Sequence, residues 1–412
     1  MSTLRERIIK GLKDRRNKIF NGGVNCIPLP FTRFRNELPG LEQICYYLIS
    51  GSTKSGKTQI TNYIFVFSTV LYCYYNPDKV YPKIFYFPLE ETPEFITLRF
   101  MSFLLNYLSK GNIHLSPTAL RSTDERKPVP EEVLEYMERE EFKNIMEIYE
   151  SIVSFYDDRN PTGVWKTLRN YAEANGTTYY KEIQVKDELG QEVSRKIFDY
   201  YVPNNPNEYV FIIVDHVSLI ESEKGMTLRE SINKLSEYMV LLRNRYFYSP
   251  VIVQQQSVET QNLEAFKNNK IRPSVSGLSD SKYPARDATL MLGITNPFFF
   301  EMPTYLGYDI RKLRDKARFL EVVINRNGVS NGICPLFFDG AVCSFTELPL
   351  PNDTDNLNRL YQYIERLRGT NTLMFTVNKH FNNNVAGGKI KNYLCKLFRR
   401  YYNGKRNNGY GT

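Results

Sequence analysis

Short runs of Val, Ile, Leu, Phe and Tyr recur along the chain between longer, more polar stretches, and this rhythm predicts most of the elements. Residues 43–50 (QICYYLIS), 83–89 (KIFYFPL), 151–156 (SIVSFY), 209–214, 250–256, 290–294 and 319–325 each carry such a run. Runs that are apolar at every position mark strands buried on both faces, so they predict an α/β fold with a mainly parallel sheet and helices on both sides. Helices are expected over 131–149, 161–174, 228–246 and 355–367, with another opening at Thr92-Pro93-Glu94, where Pro93 suits the first turn. Residues 112–130, polar and interrupted by Pro117, Pro128 and Pro130, predict a loop. Residues 177–207 alternate around Glu188-Leu189-Gly190-Gln191 and predict a β-hairpin inserted between core elements. Near the start, Leu4, Ile8, Ile9 and Leu12 fall at helical spacing among charged residues, and Asn21-Gly22-Gly23 ends the pattern. No repeat of 20–50 residues is visible.

Composition narrows the class. Of 412 residues, 42% are hydrophobic and 24% charged, which excludes a disordered or fibrous chain. The plan is a basic amphipathic helix in residues 1–24, one large domain in 25–350 and a basic extension in 351–412. No apolar run reaches the roughly 18 residues a membrane span needs. The start lacks the apolar stretch of a secretory signal, so the expected location is the cytoplasm, with no membrane partner. Cys26, Cys45, Cys73, Cys334, Cys343 and Cys395 are scattered and form no CxxC pair, and three histidines are too few for a zinc site. They are expected to be reduced. The net charge of +9 is concentrated at the ends: residues 1–24 hold seven Lys/Arg against two acids, and 351–412 hold eleven against three. Cationic ends favour a polyanion, nucleic acid first, although solvated tails or a surface against another subunit would look the same.

The chemistry begins at Gly51-Ser52-Thr53-Lys54-Ser55-Gly56-Lys57-Thr58, a complete G-x-x-x-x-G-K-T between a predicted strand and a predicted helix. Backbone N–H groups of such a loop cradle phosphates, its Lys reaches the β- and γ-phosphates, and its Thr hydroxyl takes Mg²⁺. The expected cofactors are therefore ATP and Mg²⁺. A second element, VFIIVDHVSLI at 210–220, is a buried strand ending in Asp215, placed to reach the Mg²⁺ through water. The residue after Asp215 is His216, not the Glu that many ATPases put there, so the base must come from elsewhere. Glu90, closing the strand 83–89, is the candidate, whereas Glu91 and Glu94 suit helix-end charge better.

In sequence order, FPLEETPEFITLRF, VDHVSLI, VIVQQQS, IRPSVSGLSDSKYPARDATLMLGI and VVINRNGVSNG resemble successive motifs of the DnaB-like replicative helicases, over residues 27–348. The resemblance implies a RecA-like P-loop NTPase core working as a hexameric ring. It makes Gln256 the sensor of γ-phosphate state and Arg326 an arginine finger acting in the neighbour's site. DNA loops would lie around 221–226 and 257–284, with Lys267, Lys270, Arg272 and Lys282 as phosphate contacts, although exposed Lys and Arg ordinarily meet only water.

The departures are specific. Ile324 stands where the family has Lys, Gly277-Leu278-Ser279-Asp280-Ser281 lacks the family's Arg and Glu, and Ala285-Arg286-Asp287-Ala288-Thr289 replaces its acidic run. Only about 26 residues precede the motor region, so the family's helical N-terminal domain, and with it primase docking, is not expected. The implied function is ATP-driven translocation on single-stranded DNA in replication, in a phage-encoded member, with a primase or loader as possible partner. Two alternatives stay open: a RecA/KaiC-like DNA-dependent ATPase that does not unwind, and a degenerate ATP-binding structural protein.

Overall fold

The computed structural model describes residues 3–186, 191–257 and 271–369. Nine strands form one sheet: β1 (Tyr47–Gly51), β2 (Tyr81–Pro88), β3 (Val153–Phe155), β4 (Glu208–Asp215), β5 (Ser249–Gln255), β6 (Leu290–Thr295), β7 (Ala317–Asn325), β8 (Ile333–Asp339) and β9 (Ser344–Glu347). Their spatial order is β9-β8-β7-β6-β1-β5-β4-β2-β3. The six strands from β6 to β3 run parallel, and β7, β8 and β9 continue antiparallel. The sequence pattern missed β8 and β9, because PLFFD and SFTE are short and lie in an edge flank.

Strand side chains alternate between two cores. Tyr47, Ile49, Tyr86, Phe211, Ile213, Val251 and Val253 face one layer. That layer holds a long helix, α2 (Lys57–Thr61), which passes through a π-helical turn (Asn62–Phe67) into Ser68–Tyr75, together with α3 (Pro93–Leu108) and α4 (Glu140–Ile152). Leu48, Phe85, Phe87, Ile212, Val214 and Ile252 face the other layer, against α5 (Pro161–Ala174) and α6 (Leu228–Tyr246). Removing one such buried ring, Phe65 or Phe87, would cost about 3–5 kcal/mol. A third core packs Phe319, Phe337, Leu357, Leu360 and Ile364, the last three from α7 (Thr354–Gly369).

Local chemistry sets the helix ends. Thr227 and Glu230 form a capping box at the start of α6, Asn160 caps α5 ahead of Pro161, and Thr92 caps α3 ahead of Pro93. The N-terminal helix α1 (Leu4–Phe20) also has a capping box, Thr3 with Glu6.

Several expectations need adjusting. The helix expected over 131–149 is two helices, Glu131–Met137 and α4, and the loop 112–130 contains a helical turn, Pro117–Leu120, capped by Ser116. The first strand starts at Tyr47 rather than 43, because Ile44 takes a left-handed backbone (φ 62°) that ends strand geometry. The inserted hairpin pairs Gly176–Lys186 with Glu192–Pro203, and the turn residues Glu188, Leu189 and Gly190 lie outside the described residues. Most of the basic extension after residue 369, with Cys395, also lies outside them. Cys26, Cys45, Cys73, Cys334 and Cys343 are free thiols. Among the described residues, no helix is long and apolar enough to cross a membrane, and no cluster of His, Cys, Asp or Glu is arranged to hold a metal by itself.

Candidate active site at the phosphate loop

β1 ends at Gly51 in the middle of the sheet, and the chain turns through Ser52–Gly56 into α2. Two glycines make the turn possible. A Cβ on Gly51 would sit 2.5 Å from both the Ile294 carbonyl oxygen and Ser55 Oγ, and Gly56 has φ +94°. Lys54 is also left-handed, at φ 60°. The turn leaves the N-terminus of α2 open, with the buried Ser52 hydroxyl oxygen unpartnered. Lys57 Nζ bends back to donate to the Ser52 carbonyl at 3.0 Å. Burial draws the Lys57 ammonium down from its usual range, and Asp215 and Glu90 oppose that shift. The cation therefore faces two carboxylates across an anion-shaped cradle.

Asp215, the last residue of β4, accepts from Thr58 Oγ1 at 3.2 Å through one carboxylate oxygen and from Tyr86 OH at 3.2 Å through the other. Burial pushes its pKa up to about 7, the two hydrogen bonds pull it down, and Glu90 and Glu91 add to the rise. A buried carboxylate whose ionised form is so disfavoured, beside a threonine hydroxyl, is the oxygen-donor set that Mg²⁺ would complement. The site residues fit that ion.

Pro88 pairs with Asp215 across β2 and β4, so Glu90 sits just past the strand end beside the same carboxylate, as its sequence position suggested. Its side chain is half exposed, with Oε2 3.6 Å from His216 Nε2. Burial lowers the His216 pKa below its ordinary value, and the neighbouring Glu90 opposes that shift. Glu91 is committed to Arg99, Nε to Oε2 3.1 Å, and Glu94 lies in the first turn of α3. Glu94 is the helix-end charge of that turn, whereas Glu91 lies before the cap and pairs with a residue of the helix instead.

Gln256, just beyond β5, is buried. Its Nε2 donates to Ser50 Oγ at 2.7 Å and to the Ser274 carbonyl at 3.1 Å. It thus ties the strand entering the phosphate loop to the segment that follows residue 270. The sequence reading missed its neighbour Gln255, whose Nε2 donates to Thr53 Oγ1 at 2.7 Å on the loop itself. It also missed Tyr86, Asn296 and Arg318. Only Tyr86 carried a signal, as the polar-tipped ring inside an otherwise apolar strand.

Arg326 is not brought to this site. β7 runs antiparallel to β6, and Asn325 pairs with Leu290, which pairs with Tyr47 at the start of β1. Four residues of strand, about 13 Å, separate that level from Gly51. Arg326 is exposed at the opposite end of the strands, where Nε donates to the Ala288 carbonyl at 2.8 Å and Nη2 to the Arg286 carbonyl. Ile324 turns inward and packs against the core.

Of the expected DNA contacts, Arg272 is paired with Glu321 at 3.0 Å and Lys282 is exposed just before the helix Tyr283–Asp287. Lys267 and Lys270 lie outside the described residues.

No family model and no curated protein matches the chain. Solved structures do. The ATPase domain of G40P aligns with 85% of this chain and 100% of its own, at a TM-score of 0.58 and 12% identity. A DnaB-like replicative helicase, described together with its interactions with primase, aligns with 85% of this chain and 68% of its own, at a TM-score of 0.57 and 12% identity. At that identity the likeness establishes a shared fold alone: this chain's nine-stranded, mainly parallel sheet with helices on both faces is similar in fold to those ATPase domains.

Proposed function

We propose that this protein is an ATP-hydrolysing motor of the DnaB-like replicative helicase type, moving on single-stranded DNA as a ring of identical subunits. The observation that carries the reading is the convergence of Lys57, Thr58, Asp215 and Glu90 on one open cradle at the strand ends, within that fold. Thr58 and Asp215 would hold Mg²⁺, which when bound offsets charge on the β- and γ-phosphates. The loop N–H groups and Lys57 bind the triphosphate. The exposed rings of Phe298 and Phe299, the latter 6.0 Å from Lys54 Nζ, offer the base an apolar surface beside the loop. Glu90, oriented by His216, accepts the proton of the attacking water.

Arg326 lies at the opposite end of the strands from its own phosphate loop, so a finger role for it needs another copy. This favours a head-to-tail assembly in which each Arg326 serves the neighbouring phosphate loop. The exposed Ile8, Ile9, Leu12, Ile19 and Phe20 of α1 give such an assembly an apolar surface to cover. Gln256, bridging Ser50 and Ser274, is the route by which phosphate state would reach the segment 257–284 that we assign to DNA, with Lys282 as a phosphate contact. A primase or loader is the kind of replication partner this reading accommodates.

The deciding test measures unwinding of forked DNA, with and without ATP, on protein of known oligomeric mass. ATP-dependent strand separation by the oligomer is expected. Single-stranded-DNA-stimulated hydrolysis without strand separation would favour a recombinase- or loader-type ATPase. Binding of ATP without turnover would favour a degenerate structural role.

A further inference from the structure

A phosphate loop can aim its N–H groups inward only if its carbonyls are held outward, and those carbonyls need partners. Here the partners come from the β6–β7 side of the sheet. Arg318, at the start of β7, donates Nε to the Ser55 carbonyl at 2.9 Å. Asn296, just after β6, donates Nδ2 to the Lys54 carbonyl at 3.3 Å. One oxygen of Asp315 joins the two, accepting from Asn296 Nδ2 at 2.8 Å and Arg318 Nη2 at 3.0 Å. Nη1 donates to the Asp315 and Ala317 carbonyls at 2.9 and 2.8 Å, and Cζ lies 4.8 Å from the centre of the Phe338 ring.

We infer that Asn296, Asp315 and Arg318 form a clamp behind the phosphate loop, in which Arg318 is a positioning residue that shapes the loop and places a fixed positive charge behind it, in the same subunit, for the nucleotide's phosphates. The inference rests on the nucleotide-binding reading above.

Three features carry it beyond a structural staple. Arg318 is only 2% exposed, yet its one carboxylate partner among the described residues, Asp315, is largely in water, so the charge is poorly compensated inside the protein. An unbalanced buried cation is costly, and an apolar side chain of similar size would serve packing better. The guanidinium also lies against the loop's own turn, since a Cβ on Gly56 would stand 3.9 Å from Nε. Finally, the clamp holds Lys54, which at φ 60° is a non-glycine residue in a left-handed conformation that does not persist unsupported. A polyphosphate on the inner face of the loop is the anion this charge lacks.

The test compares nucleotide affinity and turnover in wild type, Asp315→Ala, Arg318→Lys, Arg318→Met and Lys57→Ala. Asp315 is exposed, so its variant should fold, and Arg318→Lys keeps the charge while losing the fork. Loss of a charge-assisted hydrogen bond predicts that Arg318→Met weakens ATP roughly 10- to 100-fold, and Asp315→Ala less. ADP should be weakened less than ATP, Arg318→Lys should recover part of the loss, and kcat at saturating ATP should stay within about threefold while KM rises. Should Arg318→Met fail to fold, Asp315→Ala and Arg318→Lys still decide the matter. Wild-type affinity in those two variants, with Lys57→Ala defective, would overturn the clamp and spare the nucleotide site. Equal weakening toward ATP and ADP would overturn the charge role. A wild type that ignores ATP, unchanged by Lys57→Ala, would overturn the nucleotide reading and remove the ligand the clamp requires.

Discussion

Glu90 and Lys57 sit on opposite sides of one cradle, and substituting each should separate chemistry from binding. Glu90→Gln keeps the side chain's shape and removes its basicity. Turnover should fall roughly 10²- to 10⁴-fold while ATP binding stays near wild type, as steady-state kinetics beside a nucleotide titration would reveal. Lys57→Ala removes the cation that now rests on the Ser52 carbonyl, and binding itself should fail. Both residues were legible in the sequence, because a phosphate loop is a local motif and a strand-end carboxylate is placed by a local pattern. Tyr86 showed only as a polar-tipped ring in an apolar strand, with no sign of its partner, and Gln255 was not legible. Nothing in their immediate neighbours says that one will touch Asp215 and the other Thr53, since those contacts depend on which strands lie side by side.

Among the elements, the turn from β1 into α2 tolerates least. In Gly51→Ala the new methyl would overlap the Ile294 carbonyl and Ser55 Oγ, so the turn must shift. Overpacking of this kind costs about 1–3 kcal/mol, which a thermal melt would register together with lost nucleotide binding. The antiparallel flank carries a pH signature. Asp339 at the end of β8 is bound by His114 Nε2 at 2.8 Å and Lys316 Nζ at 3.3 Å, which hold its carboxyl well below the usual range against the pull of burial. A carboxylate with a depressed folded-state pKa stabilises at pH above its unfolded value, near 4, and that contribution is lost as pH falls through the folded value. Asp339→Asn should therefore cost about 2 kcal/mol at neutral pH and flatten the acid limb of the stability profile, measured by denaturant titration from pH 3 to 7. The element plan was mostly visible as runs of buried residues. It failed where local geometry intervened, at the left-handed Ile44 and at the break between Met137 and Glu140, and where edge strands were too short to show a period.

For the whole molecule, the distance between Arg326 and its own phosphate loop makes assembly the central prediction. Lys57→Ala and Arg326→Ala should each be nearly inactive alone, the latter by roughly 10³-fold or more if its role is that of a finger. Mixed in equal amounts and allowed to exchange, they should regain activity, since about a quarter of head-to-tail interfaces would join an intact loop to an intact arginine. Full activity of a dilute monomer would refute the trans arrangement. The amino-acid sequence by itself determined the class of fold, the phosphate loop, the strand-end acids and the inserted hairpin, because each is written in contiguous residues whose periodicity or backbone demands are local. Tertiary structure alone decided that Asn296, Asp315 and Arg318 close on the back of the loop, that Arg272 is paired with Glu321, and that Arg326 faces away from its own site. Those outcomes follow from strand order and direction, and a sheet whose neighbours are distant in sequence brings residues together across intervals that no local pattern records.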